Sequence, residues 1–300
     1  MNKISESKYH ITIILAAVLW GTVSLFSGLL TREGVDVFSQ ITYRAFFGVI
    51  IAFIIARFIF KQNLRLKHSE IKYIILNSLF TLGGWTFFMI SIYVGTPIAK
   101  ATVLMYTYPI YSVILSYFLL KEAPTKKNIL GILLSFLSIL ILLEIWHIKN
   151  LTQIQLGDLF ALVDAVFTAL VIVYGRKMRT EIKINSFKLF IFTLLFMIPL
   201  LFLFGYLLHF FQIDILKPVI NLTLSPKAWV YAISIGTFGT ALTFPLLYIG
   251  LSKIRSSVAN ILLLLEVVSS YLFGVIFFSE QFSVWGIIGM LGIIISTLLI

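Results

Sequence analysis

Apolar residues run along this chain in long blocks, and short polar stretches separate them. The blocks fall at about 11–30, 38–60, 71–92, 98–120, 127–146, 157–175, 187–208, 227–249, 256–278 and 283–300. Each is close to the roughly 20 residues that a helix needs to cross a bilayer core at about 1.5 Å per residue. The pattern predicts an all-α polytopic membrane protein of ten transmembrane helices, here spans 1 to 10. Connections are short and leave no room for a soluble domain. The longest, 209–226, holds Pro218 and Pro226 and reads as a turn-rich link. The first block follows "MNKISESKYH", is too long for a signal-peptide core and shows no small-x-small cleavage site, so it reads as a retained first helix.

Composition points the same way. Hydrophobic residues make up 60% of the 300 residues and charged ones only 12%, against roughly a quarter in soluble domains. Mean hydropathy is +1.05. The chain has no Cys, which excludes disulfides and thiolate metal sites. Its histidines, at 10, 68, 147 and 209, lie at or outside the block ends, so no metal and no cofactor is expected. A net charge of +11 in such a chain suggests basic cytoplasmic loops rather than a nucleic-acid partner. With the N-terminus inside, seventeen Lys and Arg fall on inner segments and four (Arg32, Lys149, Lys217, Lys227) on outer ones. The bias alternates loop by loop. It places both termini in the cytoplasm of a cell whose inner membrane holds the protein.

The chain also repeats itself. "YVGTPIAKATVLMYTYPIYSVILSYFLLKEAPTKKNILGILLSFLS" (93–138) resembles "YIGLSKIRSSVANILLLLEVVSSYLFGVIFFSEQFSVWGIIGMLGIIIS" (248–296). Tyr93 and Gly95 match Tyr248 and Gly250, and after a three-residue insertion Glu122 matches Glu280 and Gly131 matches Gly289. "AAVLWGTV" in span 1 echoes "ALVDAVFTALV" in span 6. Two halves of five spans, 1–146 and 147–300, must insert with opposite orientation because five is odd. That is an inverted 5+5 repeat, an architecture that supports alternating access. Halves that end "P-x(11–12)-[KS]E…G-x-x-[LM]", with short basic inner loops, resemble the EamA family of the drug/metabolite transporter superfamily. The family pattern's Glu-Pro in span 9 is here Glu266-Val267, and the proline is kept only in span 4, at Pro109.

Ionisable residues inside hydrocarbon are costly and need a cavity or a partner. Arg44, Lys100, Glu144, Asp164 and Glu266 fall within or close to spans, while Asp158 reads as interfacial. Glu266, mid-span beside Ser269 and Ser270, reads as a functional or gating acid. Asp164, with Thr168 one turn on, has the same reading or a packing one. Arg44 reads as half of a structural ion pair with an acid of another helix. Lys100, just after Pro97, either snorkels to headgroups or fronts the cavity and meets a substrate carboxylate or Asp164. At 100° per residue Lys100, Leu104, Thr107 and Tyr111 share one face, and Pro109 bends that helix. Further cavity candidates are Trp20, Ser24, Ser27 and Thr31 in span 1, Asn77, Thr81, Gly84 and Phe88 in span 3, and Gly236, Thr240 and Thr243 in span 8. Such mixed stripes suit a small amphipathic solute and also suit helix packing. Small-residue ridges on span 5 (Gly131, Ser135, Ser138) and span 10 (Gly286, Gly289, Gly292, Ser296) read as packing surfaces, between the terminal helices or toward a second copy in a homodimer.

Metalloprotease, hydrolase, P-loop and dinucleotide motifs are absent, so the chain does not read as an enzyme. The expectation is a secondary transporter for a small metabolite in the lipid bilayer. The family resemblance implies amino acids or similar compounds, moved outward. Rival readings are a carrier for anionic or phosphorylated metabolites, which needs two or more basic residues in the cavity, and a membrane-embedded enzyme or lipid-handling protein, which needs clustered catalytic groups.

Overall fold

A computed structural model describes residues 3–148, 151–212 and 217–299. Lys149 and the end positions Asn2 and Ile300 lie outside the described residues. No strand occurs among those described. The helices are α1 (Lys3–Arg32), α2 (Val37–Ile54, continued by a π-helical turn Ile55–Ile59), α3 (His68–Tyr93), α4 (Ile98–Met105) and α5 (Tyr108–Leu120). After these come α6 (Lys126–Leu142), α7 (Leu156–Thr180), α8 (Ser186–Phe210), α9 (Pro226–Gly236) and α10 (Thr243–Leu251). The last are α11 (Ser256–Leu263), α12 (Leu265–Phe278) and α13 (Val284–Leu298).

Among the described residues eight segments are long and apolar enough to cross a membrane. They are α1 from Ser7, α2 with its π turn, α3, α4–α5, α7, α8, α9–α10 and α11–α12. The windows at 127–146 and 283–300 hold shorter helices, α6 with 17 residues and α13 with 15. At about 1.5 Å per residue each falls short of a roughly 30 Å hydrocarbon core. The first ends early because Glu144 turns left-handed (φ 47°) and pairs with His147 at 3.0 Å, which takes that acid out of the helix.

Caps mark the helix starts. Asp36, Thr125, Asn185, Ser225 and Ser283 each accept a backbone N–H of the first turn. Large apolar side chains point outward, such as Leu133 and Leu137 on α6 and Leu291 and Ile295 on α13. Small residues point inward. The ridges on α6 and α13 meet each other: Ser135 Oγ donates to Ser296 Oγ at 2.8 Å. A Cβ built on Gly289 would lie 2.7 Å from the Ser138 carbonyl oxygen, so only glycine permits this approach.

Two helix breaks organise the centre. Between α4 and α5 the chain tightens into i→i+3 bonds, Thr107 N to Leu104 O (3.2 Å) and Ile110 N to Thr107 O (3.0 Å). Pro109 has no N–H to continue the α-helical ladder. Between α11 and α12 the same pattern recurs without a proline, Leu264 N to Ile261 O (3.2 Å) and Val267 N to Leu264 O (3.0 Å). α5 and α12 both end on a left-handed residue, Lys121 (φ 57°) and Ser279 (φ 58°). Each is followed by a glutamate whose N–H returns to the preceding helix: Glu122 to Ser116 O and Glu280 to Gly274 O. Helix pairing follows suit. α3 lies along α7 as α10 lies along α1, and α2 along α8 and α6 along α13 complete the set.

Candidate functional site: a central cavity with two opposite charges

A cavity of about 400 Å³ lies between α1, α2, α3, α4–α5, α7 and α12. Trp20, Trp85, Phe88, Tyr106 and Tyr108 give it aromatic walls. Phe244 backs both tryptophans, with ring centroids 5.2 Å from Trp20 and 6.2 Å from Trp85. Serines and threonines of α1, α4, α7 and α12 (Ser24, Ser27, Thr102, Thr168, Ser270) supply hydroxyls. The lining reaches Ile98, which is 64% exposed at the start of α4, so the cavity extends to the end of the bundle that holds the 93–97 turn.

The opposite end, which carries most of the Lys and Arg, is tied shut. Arg176 on α7 donates to Glu122 Oε1 at 2.6 Å and to the carbonyls of Leu251 (2.8 Å) and Ile254 (2.6 Å). Lys188 on α8 holds Glu70 on α3 at 2.7 Å. Buried polar pairs lie between this end and the cavity. Asn260 Nδ2 donates to Ser112 Oγ at 2.5 Å, and Asn77 Nδ2 donates to Thr193 Oγ1 (3.0 Å) and to the Tyr248 hydroxyl (3.2 Å).

Two charged residues face the cavity. Glu266 stands in the first turn of α12, just past the second break. Arg44 enters from α2, and its position is fixed twice. Its guanidinium carbon sits 3.9 Å from the Trp85 ring centroid, and Nε donates to Thr240 Oγ1 at 3.0 Å. Its Nη2 is buried and has no hydrogen-bond partner among the described residues. No ion pair within 4.0 Å joins Arg44 to Glu266 or to another described acid, so the structural ion pair expected from sequence is not made in this conformation.

Of the residues picked out by sequence, Trp20, Ser24 and Glu266 lie together on the lining, as do Ser27, Gly84 and Phe88. Arg44, Thr168 and Ser270 line it too, and the remaining candidates lie elsewhere. Lys100 neither snorkels nor meets Asp164. Its Nζ is 2.6 Å from Asp158 Oδ2 and 2.5 Å from the Gln153 carbonyl, and Thr96 Oγ1 donates to the same carboxylate at 3.1 Å. That buried network staples α4 to the start of α7. Asn77 and Thr81 face away from the cavity, and Thr81 Oγ1 bonds back to the Asn77 carbonyl. Thr107 Oγ1 bonds to the Leu104 carbonyl at the break, and Tyr111 packs on the apolar core. Asp164 is fully buried behind Gly84 and Thr168, and neither carboxyl oxygen has a partner among the described residues. Thr240 holds Arg44 from behind.

The shared-face argument for Lys100, Thr107 and Tyr111 assumed one continuous helix. The cavity instead meets the other face of α4, Ile98, Thr102 and Met105 at i, i+4 and i+7, with Tyr106 and Tyr108 at the break, while the face of Lys100 packs toward α7. Trp85 was legible as Arg44's platform only through contact, since sequence spacing does not link α2 to α3.

A bundle with eight apolar segments long enough to cross a membrane, around a central cavity, has the character of a multi-pass membrane protein. Comparison with known proteins agrees. The EamA-like transporter family model matches residues 7–144 and again 155–300, and the chain belongs to that family. An uncharacterized transporter of Archaeoglobus fulgidus is 25% identical over 280 residues, covering 92% of this chain and 90% of that one. The uncharacterized transporter YyaM of Bacillus subtilis is 28% identical over 163 residues, covering 51% and 53%. One crystal structure superposes with a TM-score of 0.76 at 19% identity, over 97% of this chain and 96% of the other, a likeness of fold alone.

Proposed function

We propose that this transporter moves a small amphipathic metabolite, an amino acid or a similar compound, out of the cell across the inner membrane. In this reading ten helices form two inverted halves, 1–146 and 147–300, with both termini in the cytoplasm. α6 and α13 then cross where the bilayer is locally thinned around them. The paired breaks, the paired left-handed turns and the matching helix contacts support the repeat. Alternating access would open the tied end while the cavity mouth closes. No nucleotide-binding motif is present, so a solute or ion gradient drives the cycle.

One observation carries the reading: an aromatic cavity that holds one cationic and one acidic side chain with no ion pair between them. Trp20, Ser24 and Glu266 are assigned to contact the solute. Lys100, Asn77, Thr81, Thr107, Tyr111, Asp164 and Thr240 are assigned to hold the walls and the moving helices. A phosphorylated solute suits the site less, because Lys100 is bound to Asp158 and Arg44 is the one basic residue among those lining the cavity.

Uptake and counterflow in proteoliposomes test this, with a panel of amino acids, purines and phosphorylated sugars, with and without a proton gradient. Saturable counterflow of an amino acid or similar amphipathic compound is expected. Counterflow of sugar phosphates alone would refute the reading.

A further inference from the structure

We propose that a groove between the start of α3 and Ile182 binds one anionic phospholipid, with Lys72 and His68 taking the phosphate and an acyl chain lying along Ile71, Ile75 and Leu79. The proposal rests on the membrane setting of the helices and is independent of which solute the central cavity carries.

Shape is the first argument. The groove holds about 640 Å³, lies at the basic end and shares no lining residue with the central cavity. His68, Ile71, Lys72 and Ile75 form one wall at helical spacing, and Ile182 in the connection from α7 to α8 stands on the other side. Along α3 this face changes character within two turns, about 10 Å. His68 and Lys72 are exposed at the helix start. Ile75 and Leu79 are exposed beyond them, and Ile71, Ile75 and Leu79 succeed one another at i+4 on a helix of membrane length. A cationic patch that passes into an exposed aliphatic row matches a phospholipid, with its phosphate above its chains.

Charge is the second. Among the described residues of this end, Glu70 is held by Lys188, Glu122 by Arg176, and Glu181 lies 3.7 Å from Lys177. Lys72 has no described carboxylate within 4.0 Å, and its Nζ lies 5.0 Å from the Tyr73 ring centroid. Lys183, next to Ile182, is exposed and makes no ion pair either. The groove thus offers cations to an anion and no free acid to a cation. A net-neutral choline lipid would bring its trimethylammonium against Lys72 as a like charge. A free phosphate would meet Lys72 but leave Ile71, Ile75 and Ile182 facing water, where an acyl chain would cover them.

The test is native mass spectrometry of the full chain in mild detergent, titrated with phosphatidylglycerol and with phosphatidylcholine of the same chains. The wild-type protein is expected to bind one phosphatidylglycerol at least about fivefold more tightly than phosphatidylcholine, the usual effect of one cation near an anionic headgroup. Lys72→Ala is expected to weaken phosphatidylglycerol about fivefold and to leave phosphatidylcholine unchanged, and Lys72→Arg to keep the preference. Lys72 is exposed and unpaired, so its loss leaves the helix packing in place. Lys127→Ala, an exposed lysine at the start of α6 on the same end, is expected to change neither lipid. Millimolar glycerol 3-phosphate, a headgroup without chains, is expected not to displace the lipid. Equal affinity of the two lipids for wild-type protein would overturn the proposal. Equal losses in Lys72→Ala and Lys127→Ala would replace the groove with a diffuse basic surface, and displacement by glycerol 3-phosphate would make it a site for free phosphate compounds.

Discussion

Glu122 and Glu280 stand in like turns of the two halves, each just after a left-handed residue, yet Arg176 holds the first and no described basic group pairs with the second within 4.0 Å. Glu122 also lies 3.4 Å from the Ser256 N–H at the start of α11. One carboxylate therefore links α7, the α5–α6 turn and α11 at the tied end. Glu280 instead folds back over Gly274, while Arg32 lies over the Phe278 ring. The asymmetry between two related turns matches a cavity closed at one end only.

Removing this clasp should loosen the closed end. A charge-assisted hydrogen bond contributes roughly 1.5–3 kcal/mol, so Glu122→Gln should shift the closed–open balance by at least about tenfold. Ser112→Cys reports it, because Ser112 is fully buried beside Asn260 and the native chain has no Cys. Its rate of reaction with a water-soluble thiol reagent should rise about tenfold in the Glu122→Gln background. In Glu280→Gln it should stay near the parent rate. Equal rates in all three proteins would mean that the Arg176–Glu122 pair does not hold this end closed.

Packing of α6 on α13 depends on the absence of a side chain at Gly289. A Cβ there would meet Leu142 Cβ at 2.5 Å and backbone atoms of Ser138 and Leu142 at 2.7 Å, and backbone cannot step aside cheaply. Gly289→Ala should cost about 1–3 kcal/mol, the usual range for overpacking. Gly84→Ala is the comparison, since its nearest neighbour is the Thr168 hydroxyl at 3.3 Å. Thermal unfolding in detergent should show Gly289→Ala melting several degrees below wild type and Gly84→Ala close to it. Matching melting temperatures for the two variants would show that the α6–α13 contact is looser than drawn.

The Lys and Arg distribution predicts which end faces the cytoplasm. The end that carries Arg65, Lys67, Lys121, Arg176 and Lys188 should be cytoplasmic, and the end with the cavity mouth should be outside. Reporter fusions after Arg65 and within 217–225 check this. A cytoplasmic signal from the second site would reverse the assignment, and export would then begin from the open state shown here.

Much of this protein was legible from hydrophobic pattern, because bilayer thickness sets helix length and continuous apolar blocks of that length are helices rather than the alternating strands of a barrel. Eight membrane-length segments lie at expected windows, and the small-residue ridges of α6 and α13 face each other. The site was less legible. Trp20, Ser24 and Glu266 lie on the cavity, because a hydroxyl-aromatic stripe and a mid-span acid are local signals. Arg44 was read as a structural partner, since sequence shows a charge but not whether an acid meets it. Lys100 was read as a headgroup anchor or as a cavity residue meeting a substrate carboxylate or Asp164; its partner here, Asp158, comes from a helix start 58 positions on, and nothing in the spacing encodes that approach. Tyr106 and Tyr108 were missed because the count followed the face of Lys100, whereas the cavity meets the face of Thr102 and the break beyond it.

The two faces of span 4 supply the last prediction. Thr102 on α4 and Ser24 on α1 line the cavity near its open end, whereas Asn77 and Thr81 are buried on the far side of α3, with Asn77 bonded to Thr193 and Tyr248. Single cysteines at Ser24 and Thr102 should therefore react readily with a small water-soluble thiol reagent added from the open side, and a transported solute should slow them. Cysteines at Asn77 and Thr81 should react at least about tenfold more slowly, because reaching them requires separating α3 from α8 and α10, a local opening of a packed region. The same contrast separates two faces of span 4: Ile98, Thr102 and Met105 line the cavity, whereas Lys100 on the other face is bonded to Asp158. The pair Thr102→Cys and Thr107→Cys decides which face is wet: fast, solute-protected reaction at 102 with slow reaction at 107 supports the lining seen here, and the reverse order would put the face of Lys100, Thr107 and Tyr111 on the cavity.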